Sequence, residues 1–234
     1  MPYDLTVNER VAVQTQLVGR ERQPILVMDD YLRDPEALVR YAASEAPFKP
    51  SQAMYPGIVA PMPDAYVEGL LDVLGPMMGA TFGVKVDTAF LSDSYFAIVT
   101  FPPEQLHFRQ RLPHVDDYDP GMIAILHYLC NQGGTALYRH RATGYESLNQ
   151  EQNQHMQSLV TQDIASKGAI PPQYVSASNR LFEQTASFQA KFNRLIAYRG
   201  SILHSMYVDA NTKLDPNPRV GRLTANVFLR FERG

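Results

Sequence analysis

Three residues in the second half of the chain have side chains that bind metals. His114 and Asp116 are separated by one residue in the stretch RLPHVDDYDP (111–120). In an extended segment, alternate residues point to the same side, so these two side chains project together with Cα atoms roughly 6.5 to 7 Å apart. An imidazole and a carboxylate at that separation can bind one metal ion. The alternative is a polar turn, because Pro113 and the acidic residues that follow are loop-forming types.

His204 is the third possible ligand. It follows the residues YRG (198–200), where a strand ends and Gly200 turns the chain, so a second imidazole lies at the rim of the next β-element. Two histidines and one carboxylate form the facial arrangement that leaves three adjacent coordination positions open on iron(II). Open positions permit chemistry with oxygen, whereas a closed site of four protein ligands is typical of structural zinc.

A strand near the end of the chain carries a candidate anion-binding arginine. The stretch GRLTANVFLRF (221–231) alternates, with Arg222 and Thr224 on one face and apolar residues on the other. In an ordinary half-exposed strand the arginine faces solvent. In a barrel with an internal cavity it points inward and holds a carboxylate through two hydrogen bonds, to which the threonine hydroxyl adds another. Each such bond contributes roughly 1.5 to 3 kcal/mol, enough to anchor a small dicarboxylate.

The first part of the chain predicts elements that flank a core. Residues 24–30 (PILVMDD) predict a strand, and Asp34 before Pro35 predicts the N-terminus of a helix. A second helix is expected to begin after Asp64 and to end at the Gly-Pro pair at 75–76. Each helix is expected to bury one side.

From about Lys85 the hydrophobic pattern has a period of two, which predicts β-strands. The candidate strands are rich in β-branched and aromatic residues; they are SYFAIVTF (94–101), GMIAILHYLC (121–130), GTALYRHR (134–141), RLIAYRG (194–200) and LTANVFLRF (223–231). A Gln/Asn-rich segment then interrupts this series and predicts a helix over one mouth of the sheet structure. The chain is therefore expected to be mainly β with flanking α-helices.

The length of 234 residues fits one domain. We expect that domain to span 1–234, with the N-terminal strand and flanking helices in 24–80, the β core in 85–232 and an insertion in 145–193. The sole cysteine, Cys130, lies in an apolar run, so we expect a core thiol and no intrachain disulfide.

The charge and hydropathy of the chain lead us to expect neither nucleic acid nor a membrane as a partner. The net charge is −3 and no run of Lys or Arg occurs, which disfavours nucleic acid and anionic membranes. The N-terminus has no apolar signal-peptide core, and no apolar run approaches the roughly 20 residues of a membrane span. A cytoplasmic protein is the expectation; the oligomeric state is left open.

Together these motifs resemble the iron(II)- and 2-oxoglutarate-dependent oxygenases, with His-x-Asp, a distal His after a glycine turn and Arg-x-Thr on the last strand. The order of elements resembles the prolyl-hydroxylase-like branch: a strand and helix, HVD, an apolar strand ending in Tyr128-Leu129, then Gly133-Gly134-Thr. The segments FNRLIAYRGSILHS and GGTALYRHRATG resemble an uncharacterised bacterial group often encoded near flavin-dependent tryptophan halogenases. The resemblance covers about residues 24–232.

This resemblance implies a double-stranded β-helix, a jelly roll of the cupin type. It also implies a dioxygenase that uses iron(II), 2-oxoglutarate and O2, most simply a hydroxylase of a small molecule or of a peptide or protein. The implied iron ligands are His114, Asp116 and His204, and the implied partners of the distal carboxylate of 2-oxoglutarate are Arg222, Thr224 and Tyr128. The presence of Asp116 distinguishes the chain from the related halogenases, in which a small residue leaves that position to chloride.

Other assignments stay open beside this one. Arg222 follows His204 by 18 residues, longer than the usual family spacing, so Arg219 is a rival anchor. Arg141 and Tyr138 are candidate substrate contacts, because Arg141 leaves its strand at a Thr-Gly turn next to the insertion. A jelly-roll protein that binds a ligand or partner without catalysis is one alternative function. A cupin-like zinc or manganese isomerase is another, and it requires a fourth protein ligand or a different anion site.

Overall fold

The computed structural model describes residues 3–234, apart from the side chain of Arg233, and in that range the protein is mainly β with three α-helices. The helices are α1 (Pro35–Ser44), α2 (Asp64–Phe82) and α3 (Gln150–Lys167). The strands are β1 (Ala12–Val18), β2 (Gln23–Asp29), β3 (Lys49–Pro50), β4 (Gly57–Ala60), β5 (Val84–Val99), β6 (Met122–Tyr128), β7 (Gly134–His140), β8 (Phe182–Gln189), β9 (Arg194–Arg199), β10 (His204–Tyr207) and β11 (Leu223–Arg233). None of the helices in the described range is long and apolar enough to cross a membrane.

The strands form two antiparallel sheets. The larger sheet has the order β1-β2-β9-β6-β11-β5-β4-β3, and the smaller sheet has the order β10-β7-β8. A bridge between His114 and His204 adds the segment around His114 to the outer edge of β10. This short segment thus widens the smaller sheet at one edge, and it carries two of the candidate ligands, His114 and Asp116.

The larger sheet buries apolar residues on both faces. Helices α1 and α2 cover one face, where Leu38 and Leu74 pack against Phe96 of β5 in one continuous core. The smaller sheet covers the other face, and Leu137 of β7 packs there with Tyr128 of β6. The molecule is therefore a β-sandwich with helices on the outside of its larger sheet.

Strand β11 divides its residues between these two environments as its alternation predicts. Leu223, Ala225 and Val227 lie in the helix-covered core. The guanidinium of Arg222 lies over the ring of Tyr128, between the sheets, and bonds to Gly134 of the smaller sheet. The polar face of this last strand is thus turned into the sandwich and not to solvent.

The predicted N-terminal strand and helix are confirmed, and the predicted end of the second helix is wrong. The Asp34 side chain accepts a hydrogen bond from the backbone N–H of Ala37 at 3.1 Å, which caps α1. Helix α2 continues through Pro76 to Phe82. Because Met78 and Phe82 beyond the proline are buried in the core, their packing offsets the hydrogen bond that the proline removes.

Four strands were not predicted, among them the short strands β3 and β4 in a proline-rich part of the chain. Strand β1 precedes the expected first strand and forms a hairpin with β2. Strand β8 lies within 145–193, the segment expected to be an insertion, but it pairs along β7 as part of the smaller sheet. The added part is therefore shorter than expected and consists of α3 and its flanking loops. Its Met156 and Val160 pack with Ala136 and Tyr138 on the outer side of β7.

A buried polar network ties the larger sheet to the loop before α1. Asn193 donates from its amide nitrogen to the Leu32 carbonyl, and its oxygen accepts from the Leu32 N–H at 2.9 Å. That oxygen also lies 3.1 Å from Nε2 of the fully buried His127, so Nε2 donates to it. Nδ1 then accepts from the Tyr66 hydroxyl at 3.0 Å. Burial lowers the pKa of His127 to about 4, which keeps this ring neutral.

Asn193→Ala should lower the free energy of unfolding by about 3 kcal/mol or more, measured by urea denaturation. The substitution leaves two backbone groups of Leu32 and one ring nitrogen of His127 without partners, at roughly 1 to 3 kcal/mol each. Asn193 has a φ of 66°, which glycine adopts without strain. Asn193→Gly should therefore lose nearly as much stability. A loss below about 1 kcal/mol in both variants would contradict a structural role for the network.

Candidate metal centre

Backbone pairing brings His114, Asp116 and His204 together. His114 and His204 exchange both backbone hydrogen bonds, each at 2.9 Å, so their side chains lie on the same side of the smaller sheet. The N–H of Asp116 donates to the carbonyl of Gly200 at 2.8 Å. A side chain at Gly200 would lie 3.4 Å from Cβ of Asp116 and would overlap Met122. The glycine turn that the sequence indicated therefore lets the Asp116 segment approach β9.

The ligand atoms of the three residues converge. They lie within 4.8 Å of one another, with Nε2 of His204 3.4 Å from Oδ2 of Asp116 and Nε2 of His114 3.9 Å from Oδ1. The imidazole rings of the two histidines have centroids 4.5 Å apart. Nδ1 of His204 donates to the Ile202 carbonyl at 2.8 Å, which leaves Nε2 free to face the cluster. The donor set and spacing are such that the three residues could hold one divalent ion.

The three groups have different electrostatic environments. Burial opposes ionisation of Asp116, but the charge and hydrogen bond of His204 outweigh it and lower the pKa of the carboxyl. Burial disfavours protonation of His204, but Asp116 more than compensates and raises the pKa of that imidazole. Partial desolvation and the neighbouring His204 lower the pKa of His114, part of whose side chain stays in solvent. His204 and Asp116 thus form a charge-assisted pair, and a divalent ion would replace the proton between them.

Access to the cluster is from one side. The side chain of His204 is 7% exposed and that of Asp116 is 18% exposed, whereas the side chain of His114 is 53% exposed. Solvent therefore reaches the cluster past His114. An ion held here would have protein on the His204 side and open positions toward the surface.

Arg222 lies deeper in the sandwich. It is 2% exposed, its Nη2 donates to the Gly134 carbonyl at 2.7 Å, and its guanidinium carbon lies 5.9 Å from the centre of the Tyr128 ring. Its buried Nε has no hydrogen-bond partner within the described part of the chain. Gly133, with a φ of 66°, passes so close that a Cβ there would lie 3.1 Å from this Nε. Gly133 therefore leaves room for the guanidinium, and Gly134 at the start of β7 accepts its hydrogen bond.

Thr224 and Tyr128 lie beside Arg222, but both hydroxyls have protein contacts. The Tyr128 hydroxyl donates to Oγ1 of Thr135 at 2.7 Å. The Thr224 hydroxyl accepts from Nδ2 of Asn226 at 3.1 Å. Tyr128 therefore contributes its ring face to Arg222 in this structure. The Thr224 hydroxyl donates its one hydrogen to the Ala97 carbonyl over a long 3.5 Å and retains acceptor capacity.

Two tyrosines that the sequence did not single out line the same region. Among the residues that the structure describes, none completes a hydrogen bond with the buried hydroxyl of Tyr55, although Arg222 and Thr224 lie near it. Burial raises the pKa of Tyr55 to about 12, and the nearby guanidinium of Arg222 opposes that increase. Burial also raises the pKa of Tyr198; Asp116 raises it further, and Arg222 lowers it. Tyr198 is thus within electrostatic range of both the metal-ligand cluster and the buried arginine.

The sequence contains a signal for one of these tyrosines. Tyr198 occupies an inward position of β9 by simple alternation with Ile196, which lies in the intersheet core. Tyr55 lies in the proline-rich loop between β3 and β4, where no periodicity indicates which side chains point inward. Only the tertiary packing of that loop reveals it.

The structure does not bring Arg141, Tyr138 or Arg219 to the cluster. Tyr138 lies on the outer side of β7, packs with α3, and donates its hydroxyl to the Val175 carbonyl at 2.9 Å. Nε of Arg141 donates to the Asn179 carbonyl at 2.8 Å, so this arginine ties β7 to the loop after α3. Arg219 is exposed at the rim of a cleft of about 380 Å³ on the outside of the sandwich. Our expectation that Arg141 and Tyr138 contact the substrate is therefore corrected, because the polar groups of both residues bond to the loop after α3.

Comparisons with known proteins give one family and distant structural neighbours. Residues 9–229 match the family described as "Family of unknown function (DUF6445)". No curated protein matches the chain.

Among solved structures, the chain is similar to a novel N-substituted L-amino acid dioxygenase from Burkholderia ambifaria AMMD. The identity is 11%, the TM-score is 0.41, and the match covers 89% of this chain and 85% of that chain. A structure of such a dioxygenase from the same organism in complex with alpha-KG matches at 10% identity with a TM-score of 0.39, over 89% of this chain and 81% of that chain. At this distance neither neighbour determines what this chain binds or does.

Proposed function

This chain belongs to the DUF6445 family, a family of unknown function, and we propose that it is an iron(II)- and 2-oxoglutarate-dependent oxygenase, most simply a hydroxylase. One observation carries the proposal. An open His-Asp-His cluster and a buried arginine with an unpartnered Nε both border the intersheet core, where the ring of Tyr198 lies 5.0 Å from that of His204 and the ring of Tyr128 lies under Arg222. A metal-binding protein without a cosubstrate has no need of such an arginine.

The path of the chain supports a double-stranded β-helix. From β5 onward the chain passes between the sheets in a regular sequence: larger sheet, the His114 segment of the smaller sheet, then β6 in the larger sheet. It continues through β7 and β8 in the smaller sheet, β9 in the larger, β10 in the smaller and β11 in the larger. We assign these eight segments to the jelly roll and β1 to β4 to an extension of its larger sheet.

The donor set favours iron(II) over a structural metal. Among the residues that the structure describes, three side chains and not four form the cluster. Three facial ligands leave positions for two cosubstrate atoms and oxygen, as in non-haem iron oxygenases. The cupin-like isomerase that the sequence left open would need a fourth ligand, for which the described residues offer no candidate in this cluster.

The residues present fit 2-oxoglutarate. Its distal carboxylate would accept hydrogen bonds from Nε of Arg222 and from the Tyr55 hydroxyl, two buried donors that otherwise have no partner. Thr224 would donate to the same group by exchanging its long hydrogen bond to the Ala97 carbonyl. Because Tyr198 interacts electrostatically with both Arg222 and Asp116, it would lie along the cosubstrate between anchor and metal.

The chain's own groups would then have separate tasks. When bound, iron(II) with 2-oxoglutarate and O2 supplies oxidative decarboxylation to succinate coupled to oxidation of the substrate. Asp116 and the two histidines would fix the metal and leave one side open. Arg222 would orient the cosubstrate, and the low exposure of Arg222 and His204 would keep water from its inner end. The substrate, a small molecule or a peptide, would enter past His114, the exposed member of the cluster.

The test is spectroscopic and chemical. We expect anaerobic addition of iron(II) and 2-oxoglutarate to the metal-free protein to give a weak visible metal-to-ligand charge-transfer band. On admission of air, slow formation of succinate should follow even without the substrate. Folded protein that binds iron(II) but gives neither the band nor succinate would refute the proposal and favour a non-catalytic metal-binding jelly roll.

A further inference from the structure

Strand β1 is an outer edge of the larger sheet with no feature that blocks further pairing. Its sequence, AVQTQLV, contains no charged residue and no proline. All seven residues pair with β2 without a register shift, so no bulge twists this edge away. Val13 is 46% exposed and Leu17 is 53% exposed. A regular, uncharged, partly apolar edge of this length normally pairs with another strand.

Two other outer strands of the same protein, β3 and β8, are protected. The opposite edge of the larger sheet is β3, two residues long, and these residues are Lys49 and Pro50. The outer strand β8 of the smaller sheet contains Glu183 and is paired with β7 across a register shift. Lysine, proline, short length and irregular pairing are the usual means of preventing edge association. Strand β1 has none of these four protecting features, although it belongs to the same molecule.

The exposed apolar side chains of β1 continue an internal surface. Val13 is paired with Met28 and Thr15 with Leu26, so these side chains share the face of the sheet that α1 and α2 cover elsewhere. Leu17 lies on the same face by alternation. The helices do not reach it, so the helix-covered core ends at a strand whose apolar side chains are in solvent.

We propose that two copies of this chain associate through β1, antiparallel, about a two-fold axis at Thr15. The strand is self-complementary in that register. Val13 lies opposite Leu17 of the second copy, and Gln14 lies opposite Gln16 of the second copy. Thr15 lies opposite its own counterpart. Apolar groups therefore meet on one face and amides meet on the other, as an isologous interface requires.

In this register like charges flank both ends of the pairing segment, because Arg10 lies nearest Arg20 of the second copy and Glu9 lies nearest Glu21 of the second copy. Before β1, Glu9 forms an ion pair with Arg33 of the loop before α1. After β1, the Glu21 carboxylate accepts from the backbone N–H of Glu146 at 3.0 Å and bonds to the Ser147 hydroxyl. These contacts turn both flanking segments toward their own molecule. The pairing is therefore limited to the seven uncharged residues, which predicts a modest affinity, on the order of 10 μM, because one strand pair buries less area than a standard interface.

Sedimentation velocity of the metal-free full chain tests the association. The wild type should shift from monomer to dimer between about 1 and 200 μM. Leu17→Lys should remain monomeric over this range, because it adds a charge beside the second strand. Phe90→Lys is the matched control, since Phe90 is 64% exposed but lies on β5, and it should dimerise like the wild type. A monomeric wild type at every concentration, or dissociation by Phe90→Lys and not by Leu17→Lys, would overturn the proposal.

Disulfide formation tests the axis. Residues directly opposite in an antiparallel pair have Cα atoms roughly 4.5 to 5.5 Å apart, which a disulfide can span. Thr15→Cys should therefore give a covalent dimer on mild oxidation. Val13→Cys should not, because Val13 lies roughly 14 Å from its own counterpart in this register.

Mixing Val13→Cys with Leu17→Cys should restore cross-linking. Equal rates for Thr15→Cys and Val13→Cys would exclude the register. Native Cys130 is 7% exposed, so the wild type measures the background.

Discussion

Asp116→Asn and His204→Gln will each weaken binding of a divalent metal by more than about 100-fold, measured by anaerobic equilibrium dialysis with iron(II) or by manganese(II) EPR. Removal of residues that merely orient metal ligands costs roughly 10- to 100-fold, so loss of a ligand itself should cost more. Both substitutions keep the size and polarity of the side chain. They replace an oxygen or nitrogen lone pair of high basicity by a neutral amide, which is a poor ligand.

The matched control is His155→Gln on α3, because His155 is exposed and outside the cluster. It should bind metal like the wild type. Thermal unfolding followed by circular dichroism separates loss of the site from loss of the fold. Wild-type affinity in His204→Gln, with the fold intact, would show that this cluster is not the metal site.

The metal cluster could be predicted from sequence because its geometry follows from local rules. Alternation along an extended segment aligns His114 with Asp116, and the glycine after a strand indicates where the chain returns with His204. The bridge between His114 and His204, however, joins segments 90 residues apart, and nothing in their spacing states that they are neighbours. The resemblance to a family made the connection, and the structure brings the residues together.

The misplaced substrate contacts have a different cause. Arg141 and Tyr138 are polar residues near the end of a strand, and the sequence does not state which face of the smaller sheet is covered. Helix α3 covers the outer face, so Tyr138 is buried under it with its hydroxyl bonded to the backbone. When the two faces of a strand are assigned the wrong way round, every side chain on that strand is placed in the opposite environment.

Strand β1 escaped prediction for a related reason. Its seven residues include no aromatic residue and include two glutamines, so its local β-propensity is moderate. It forms a strand because the edge of β2 is available for pairing and because Glu146 fixes the turn between β1 and β2. The carboxylate of Glu146 accepts from the backbone N–H groups of Arg20 and Glu21 at 3.1 and 3.0 Å. This long-range contact is invisible in the local sequence.

Tyr55→Phe should weaken binding of 2-oxoglutarate to the iron-loaded protein by about 10-fold or more, without loss of stability. A hydrogen bond to a charged group contributes roughly 1.5 to 3 kcal/mol, and the Tyr55 hydroxyl would donate to a carboxylate. In the free protein that hydroxyl is buried with no partner, so its removal should leave the free energy of unfolding equal or slightly higher. Titration of the charge-transfer band gives the dissociation constant.

Arg222→Lys should have a larger effect on the same titration, roughly 10- to 150-fold per lost charge-assisted bond. Lysine keeps the charge, but it lacks the planar fork that lets one side chain bond to both Gly134 and a carboxylate. Arg219→Lys is its control, because Arg219 is exposed on the outside of the sandwich and should leave the dissociation constant unchanged. A larger effect at Arg219 would move the cosubstrate anchor out of the intersheet space.

Tyr31→Phe is the matched control for Tyr55→Phe. Its hydroxyl is also buried and also without a hydrogen-bond partner, but Tyr31 lies in the core that α1 and α2 cover, on the opposite face of the larger sheet. Both substitutions remove one unsatisfied hydroxyl from the interior, so both should affect stability alike. Only Tyr55→Phe should weaken binding of 2-oxoglutarate. Equal binding by both variants would mean that the unpartnered atoms beside Arg222 do not receive the cosubstrate carboxylate.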